Sequence, residues 1–296
     1  MKKYIGIDVG GSFIKAAIVD ETGNISRHQK IKTPDHLEGL YDVIEKIVNE
    51  YKKIITPEGI ALSMPGAVDI DAGIIGGASA LPYIHGPHIK EDLEKRCHLR
   101  VEMENDANCA ALAEVWIGNA KDASDSMFIV CGTGIGGAVI KDKKIHRGIH
   151  LHGGEYGYAI QEFDDDHKEF RTWSDVGSTV ALVTRVAKQK GMDPDKLDGI
   201  WIFEHVEDDE ICRKEVDKFY YSLAIGIYNL QYIYDPEVIV IGGGISSRKD
   251  LVDQLNQRMD IILEKIQIAH IRPQICTCKY QNDANIIGAV YHLMTK

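Results

Sequence analysis

The sequence predicts a duplicated α/β protein of two lobes, and three observations carry that prediction. Residues 4–33 read as strand, glycine turn, strand, polar turn and strand ("YIGIDVGGSFIKAAIVDETGNISRHQKIKT"). The same order of features returns after Gly118 in "SMFIVCGTGIGGAVIKDKKI", as a match of pattern rather than identity. Each module stands ahead of segments with helical periodicity, the alternation expected of packed α/β layers.

The elements follow in order. Strands are expected at 4–10, 13–20 and 25–33, with Glu21-Thr22-Gly23-Asn24 supplying turn chemistry between the last two. Residues 36–53 carry Leu37, Leu40, Val43, Ile44, Ile47 and Val48 on one helical stripe. Strands at 59–64 and 73–75 come next, then a helix at 89–97, a strand at 99–104 and a helix at 107–117. Beyond the second module, helices are expected at 176–190 and 210–234, the latter with Val216, Phe219, Tyr220, Leu223, Ile227 and Leu230 at helical spacing. The stretch "EVIVIGGGIS" reads as a buried strand ending in glycines. A helix at 251–263, a strand at 274–279 and a helix at 285–294 complete the pattern. The expected division is a first lobe of residues 1–117, with the helix of 285–296 packing back onto it, and a second lobe of 118–284.

Bulk properties restrict the function. With 296 residues the chain has room for two packed lobes, and 44% hydrophobic with 27% charged residues marks a folded rather than a disordered chain. A net charge of -11 without any Lys/Arg-rich run argues against a nucleic-acid phosphate backbone as partner. No window has the apolar length of a bilayer span, so no membrane partner is expected. Met1-Lys2-Lys3 leads into a strand pattern rather than the apolar stretch of a signal peptide. The six cysteines contain no CxxC pair. Cys276 and Cys278 would share one face of a strand, either as packed thiols in a reducing compartment or as a metal or redox pair, and the first reading is favoured. The expected location is the cytoplasm.

Glycine turns after strands occur at "DVGGS" (8–12), "GTGIGG" (132–137) and "GGGIS" (242–246). Such turns leave backbone N–H groups uncovered, as an approaching phosphate oxygen requires. The third lacks the GxGxxG spacing of a dinucleotide site, and no GxxxxGK[ST] loop is present. Asp8 stands beside the first turn, where its carboxylate would orient a hydrated Mg²⁺ or simply cap the turn. Thr133 would offer a hydroxyl to a phosphate. In "VEMENDANCAALAEVW", Asp106 lies between a strand and a helix; it reads as the helix N-cap, as a general base for a sugar hydroxyl, or as both. Glu155, between Gly154 and Gly157 in "GIHLHGGEYGYAIQ", would accept from two sugar hydroxyls. His150 and His152 alternate in a strand-like pattern and, lacking a third ligand at metal spacing, read as polar packing or substrate contacts.

With these pieces in place the chain resembles the ROK family (repressor, open reading frame, kinase). The likeness rests on "GIDVGGSFIKAAIVD", "ALSMPGAVD", "ENDANCAALAE", "GTGIGGAVI", "GGEYGY" and "IGGGIS", in the family's order over essentially the whole length. It implies the duplicated ribonuclease H-like, or actin-like ATPase, fold, with two lobes around a nucleotide and sugar cleft. It implies Asp106 as catalytic base, with Gly66, Asn105 and Glu155 also binding the sugar. Asp8, Gly10, Gly11, Ser12, Gly132, Thr133 and Gly134 match phosphate-binding segments, and Gly243 and Gly244 the adenosine loop. ATP and Mg²⁺ are the implied cofactors.

Two departures stand out. Family members typically follow the "GE" motif with a His and then a CxCGxxGCxE zinc segment; here Tyr158 takes the place of that His, and residues 153–185 hold no cysteine. No structural zinc is therefore expected, and the zinc segment's sugar-binding glutamate has no clear counterpart in "FRTWSDVGST". Phe13 replaces a residue that is polar in many relatives. Zinc-less members of this look are similar to β-glucoside kinases, which implies phosphorylation of a 6-hydroxyl, with N-acetylmannosamine kinase and glucokinase as alternatives. A sugar-sensing regulator is the reading from another class; the family's repressors carry a winged helix-turn-helix before the first glycine hairpin, and only four residues precede Ile5 here. The apolar and aromatic face of 216–234 suggests a homodimer.

Overall fold

The structure, a computed structural model, describes residues 1–296. The chain forms two compact units: Met1–Asp122 with Lys144–Gly153 and Asn282–Lys296, and Ala123–Lys143 with Gly154–Gln281. The first unit thus holds a segment, 144–153, that lies beyond the 117/118 boundary expected from sequence.

In the first unit a sheet runs in the order Ile25–Lys32, Phe13–Asp20, Lys3–Val9, Ile60–Met64, Val101–Asn105. The first three strands are antiparallel and the last two run parallel to Lys3–Val9. Strand alternation sorts the side chains of Lys3–Val9 onto two faces. Ile5, Ile7 and Val9 join the core of Leu40, Ile44, Ile47 and Val48 from the helix Leu37–Lys52. Tyr4 belongs to the opposite core, with Ala17, Ile286, Ala289 and Val290, the last three from the helix Ala284–Thr295. Gly6 lies on that side too; a β-carbon there would stand 2.5 Å from the Ile286 Cγ2, so the absence of a side chain sets how close that helix comes. The helix Asp106–Ile117 packs on the same terminal helix, with Trp116 and Tyr291 stacked at 5.3 Å.

In the second unit the strands Ile135–Lys141, Ser126–Cys131, Val238–Gly242 and Ile275–Thr277 lie side by side, the first pair antiparallel and the others parallel. A hairpin leading into parallel strands is thus common to both sheets, as the internal repeat predicts. The long helix Glu210–Tyr234 is capped by Asp209, whose side chain accepts from the Cys212 N–H. Val216, Phe219, Leu223 and Ile227 seat it in the core, and Gly226 lets the Trp173 indole lie against its backbone.

Three local readings change. The helix expected at 176–190 is two helices, Trp173–Gly177 and Thr179–Lys190, because Ser178 is extended and its side chain accepts from the Ala181 N–H at 3.0 Å. The cap of Asp106–Ile117 is Asn105, not Asp106: the Asn105 side chain accepts from the Asn108 N–H at 3.1 Å. His150 and His152 do not alternate along a strand; Leu151 between them has φ 60°, and His152 Nδ1 lies 2.6 Å from the His150 carbonyl oxygen. The six cysteines are free thiols, and no helix is long and apolar enough to cross a membrane.

Candidate active site

In the first unit the three parallel strands end together, and register brings one polar row across them. Asp8 pairs with Ser63, and Ser63 with Glu104. Cross-strand neighbours share a face, so the Ser63 hydroxyl reaches Asp8 Oδ1 and donates to it at 2.8 Å. Asn285, from the terminal helix, donates to the same oxygen at 3.0 Å. The other oxygen, Oδ2, faces Lys15 Nζ at 3.8 Å. Burial of a carboxylate is costly unless it is bonded or paired, and Asp8 is both. The adjoining turn is closed by Gly10 N–H donating to the Phe13 carbonyl, while Thr33 Oγ1 donates to the Gly10 carbonyl at 2.6 Å. Gly11 and Ser12 are left exposed.

One strand further on, Asn105 and Asp106 form the corner between the strand Val101–Asn105 and its helix. Asp106 Oδ1 accepts from Asn105 Nδ2 at 3.0 Å and from the Ala107 N–H at 2.8 Å. The same Asn105 amide donates to the Gly66 carbonyl at 3.0 Å. Gly66 has φ 100° and a β-carbon there would meet the Ile75 side chain at 2.8 Å. Asp8, Gly66, Asn105 and Asp106 therefore gather at the carboxyl ends of parallel strands, the edge where open α/β sheets bind ligands. A carboxylate at a helix start, held by one backbone and one side-chain donor, can take a proton from a hydroxyl without moving.

In the second unit the strands Ser126–Cys131 and Val238–Gly242 also end together, Val130 opposite Gly242. This brings the turn at 132–134 beside Gly243 and Gly244. Gly243 has φ 83° and a β-carbon on it would clash with the Cys131 carbonyl, so no other residue fits there. Gly132 holds its turn by accepting from Thr179 N–H at 3.0 Å and Thr179 Oγ1 at 2.6 Å. Thr133, Gly134, Gly243 and Gly244 remain exposed. Burial pushes the Cys131 thiol up to about 12, so it stays protonated at neutral pH and the turn's chemistry falls to amides and the Thr133 hydroxyl.

The "GGEYGY" segment is laid flat on the strand Ile135–Lys141. A β-carbon on Gly154 would stand 2.6 Å from the Gly137 carbonyl oxygen, and the buried Tyr156 donates its hydroxyl to the Ala138 carbonyl at 2.8 Å. Glu155 and Tyr158 are turned outward. Directly after it the chain forms a hairpin, Ile160–Asp164 with Glu169–Thr172, closed by Phe163 stacked on Phe170 at 4.8 Å. No group of three or more His, Cys, Asp or Glu side chains stands in a metal-binding arrangement.

Sequence reasoning placed the residues at strand ends but missed their partners Ser63, Glu104, Arg147 and Asn285. Ser63 carried a signal, as the one polar residue of an otherwise apolar, fully buried strand; Glu104 shares its strand with Glu102 and Asn105 and did not stand out. Arg147 and Asn285 carried none, since their partners lie far away in the sequence.

Comparison with known proteins adds an independent line. The model of the ROK family matches residues 4–296. A beta-glucoside kinase of Listeria monocytogenes is 31% identical, covering 99% of this chain and 97% of that protein. A ROK family protein of Streptococcus pneumoniae, solved in complex with sucrose, superposes with a TM-score of 0.91 at 34% identity, covering 99% of this chain and 98% of that one. A ROK family glucokinase of Streptomyces griseus, solved with glucose and AMPPNP, gives a TM-score of 0.80 at 25% identity over 99% of this chain and 100% of the other. The fold is accordingly that of the actin-like ATPases, and this chain belongs to the ROK family.

Proposed function

We propose that the chain is a carbohydrate kinase that transfers the γ-phosphoryl group of ATP to the 6-hydroxyl of a sugar, with a β-glucoside as acceptor. The observation that carries this reading is the Asp106 carboxylate, fixed by Asn105 and Ala107 at the sheet's carboxyl edge. In the reaction Asp106 takes the proton of the 6-hydroxyl as its oxygen attacks the γ-phosphorus in line. The new bond joins the sugar oxygen to phosphorus, and the bond to the β–γ bridging oxygen breaks to release ADP. Asn105, the Gly66 backbone and Glu155 are assigned to sugar hydroxyls.

Gly10, Gly11 and Ser12, and on the second unit Gly132, Thr133 and Gly134, are assigned to phosphates. Their amides stabilise charge on the transferring group. Gly243 and Gly244 are assigned to the adenosine. Asp8 suits a hydrated Mg²⁺: it is a hard oxygen donor whose Oδ1 is already oriented by two hydrogen bonds, and Lys15 alone stands near Oδ2, at 3.8 Å. Bound there, Mg²⁺ would neutralise phosphate charge. The absence of cysteine from residues 153–185 supports a kinase without structural zinc.

The β-glucoside assignment draws on the Listeria relative's name and on the missing zinc-segment glutamate, which frees the anomeric side of the sugar for an aglycone. Glucose is the second reading, from the glucose-bound Streptomyces glucokinase. N-acetylmannosamine is the remaining acceptor to test. A coupled assay of ADP release across cellobiose, gentiobiose, salicin, glucose and N-acetylmannosamine separates these. The highest kcat/KM is expected with a β-glucoside; preference for glucose replaces the acceptor, and no sugar-dependent ADP release overturns the kinase. The same proposal places the enzyme in the cytoplasm, where ATP is supplied, without nucleic-acid or membrane partner. It also makes the protein a homodimer through the helix Glu210–Tyr234, whose Ile225, Tyr232 and Ile233 are exposed; light scattering of the purified protein tests this.

A further inference from the structure

We infer that Glu104 and Arg147 act together as positioning residues for phosphoryl transfer, holding the corner that carries Asp106. The inference rests on the reading of Asp106 as the base. Glu104 is 1% exposed and its two oxygens do different work. Oε1 accepts from the Asn105 N–H at 2.8 Å and from Asn108 Nδ2 at 2.9 Å, thereby gripping the residue before Asp106 and one in the helix's first turn. Oε2 is paired with Arg147 Nη2, while His292 Nδ1 stands 4.0 Å away.

The contacts form a relay. Arg147 holds Glu104; Glu104 holds Asn105 and Asn108; Asn105 accepts from the Asn108 N–H and donates to Asp106 Oδ1. A carboxyl group buried in such a place calls for a partner of opposite charge, and His292 is a poor one, because burial lowers its pKa. Arg147 is the counter-ion. It also accepts at its own carbonyl from the Gly153 N–H at 2.8 Å, so it anchors the segment that leads in sequence to Gly154 and Glu155. Removing the guanidinium leaves Glu104 free to turn away from Asn105, and the corner loses its fixed geometry.

A displaced base costs turnover without loosening the nucleotide, so the readout is kcat against the KM for ATP. The assay uses whichever of cellobiose, glucose and N-acetylmannosamine the wild type phosphorylates fastest, well below each variant's Tm. Arg147→Ala and Glu104→Ala are expected to lower kcat about 100-fold, with the KM for ATP within about twofold of wild type. Arg147→Lys, which restores the charge, is expected to recover kcat to within about tenfold. In an Asp106→Asn background at saturating sugar, Arg147→Ala is expected to cost no further turnover, since its effect on kcat passes through Asp106, while any effect through the Asn105 sugar contact appears in the KM for the sugar. Should the alanine variants fail to fold, Glu104→Gln keeps the acceptor but not the charge, and an expected loss of about tenfold tests the pair. Folded variants with lowered Tm but wild-type kcat overturn the inference, as does Glu104→Gln at wild-type kcat. If Asp106→Asn itself turns over normally, the assignment of the base has failed; if it is inactive while Arg147→Ala is normal, only the positioning role has failed.

Discussion

A β-carbon on Gly288 would overlap the carbonyl oxygen of Cys109 and stand 3.0 Å from the Ala113 nitrogen. The terminal helix and the helix of Asp106 therefore meet backbone to backbone, and the position of the corner that carries Asp106 depends on that closeness. Gly288→Ala is expected to destabilise the protein by about 1–3 kcal/mol, the usual result of overpacking a tight contact. Urea unfolding of the two proteins measures it; an unchanged midpoint would show that the helices can separate at no cost.

Asp106→Asn keeps the shape of the corner, because an amide oxygen can still accept from Asn105 and Ala107. It removes the carboxylate proposed as the proton acceptor. Turnover is expected to fall about 100- to 10,000-fold, the range attributed to general base catalysis, while the Tm stays near that of wild type. Steady-state kinetics with a thermal melt check both halves, and near-normal turnover rules out the mechanism.

Ser178 ends one helix and starts the next through its bond from the Ala181 N–H. Ser178→Ala should cost about 1 kcal/mol, as loss of an N-cap does. Because the following residue, Thr179, holds Gly132, the alanine variant should also raise the KM for ATP. Calorimetry and ATP titration follow the two effects separately.

His292 gives the stability a pH dependence. Burial lowers its pKa from the ordinary 6.5, partly offset by the nearby Glu104 charge. The folded chain therefore binds this proton less readily than the unfolded chain. Its neutral ring is accommodated fully above 6.5, and stability declines as pH falls from there through the lowered folded value. The Tm of wild type is expected to drop between pH 7.5 and pH 5.5 by more than that of His292→Gln. Equal drops in the two proteins would remove His292 as the cause.

The sequence was most informative where chemistry is local. Glycines after strands, and the stripe of Leu40, Ile44 and Ile47, declare themselves within a few residues because period and turn geometry are short-range properties. The helix Glu210–Tyr234 was placed to the residue for the same reason. Ser178 escaped notice because helical spacing continues on both sides of it; only its own hydrogen bond marks the break. Asn105 and Asp106 are both good caps, and the choice between them turned on a helix starting one residue earlier than its pattern suggested. The hairpin around Phe163 and Phe170 was invisible since both rings are exposed, leaving no buried alternation to read. Arg147 reaches Glu104 across 43 positions, a distance over which periodicity says nothing.

The helix Ala284–Thr295 covers the face of the first sheet that carries Tyr4, Gly6 and Asp8. During synthesis that helix leaves the ribosome only after the whole second unit. Until then Tyr4, Ala17, Val19 and Ala61 lack their packing against Ile286, Ala289, Val290 and Leu293, and Asp8 lacks the Asn285 amide. The nascent first unit is therefore expected to stay incompletely packed on that face until the terminal helix emerges. Ribosome-bound chains stalled before residue 284 should be cut readily by protease within the first unit, and chains extruded past it should resist.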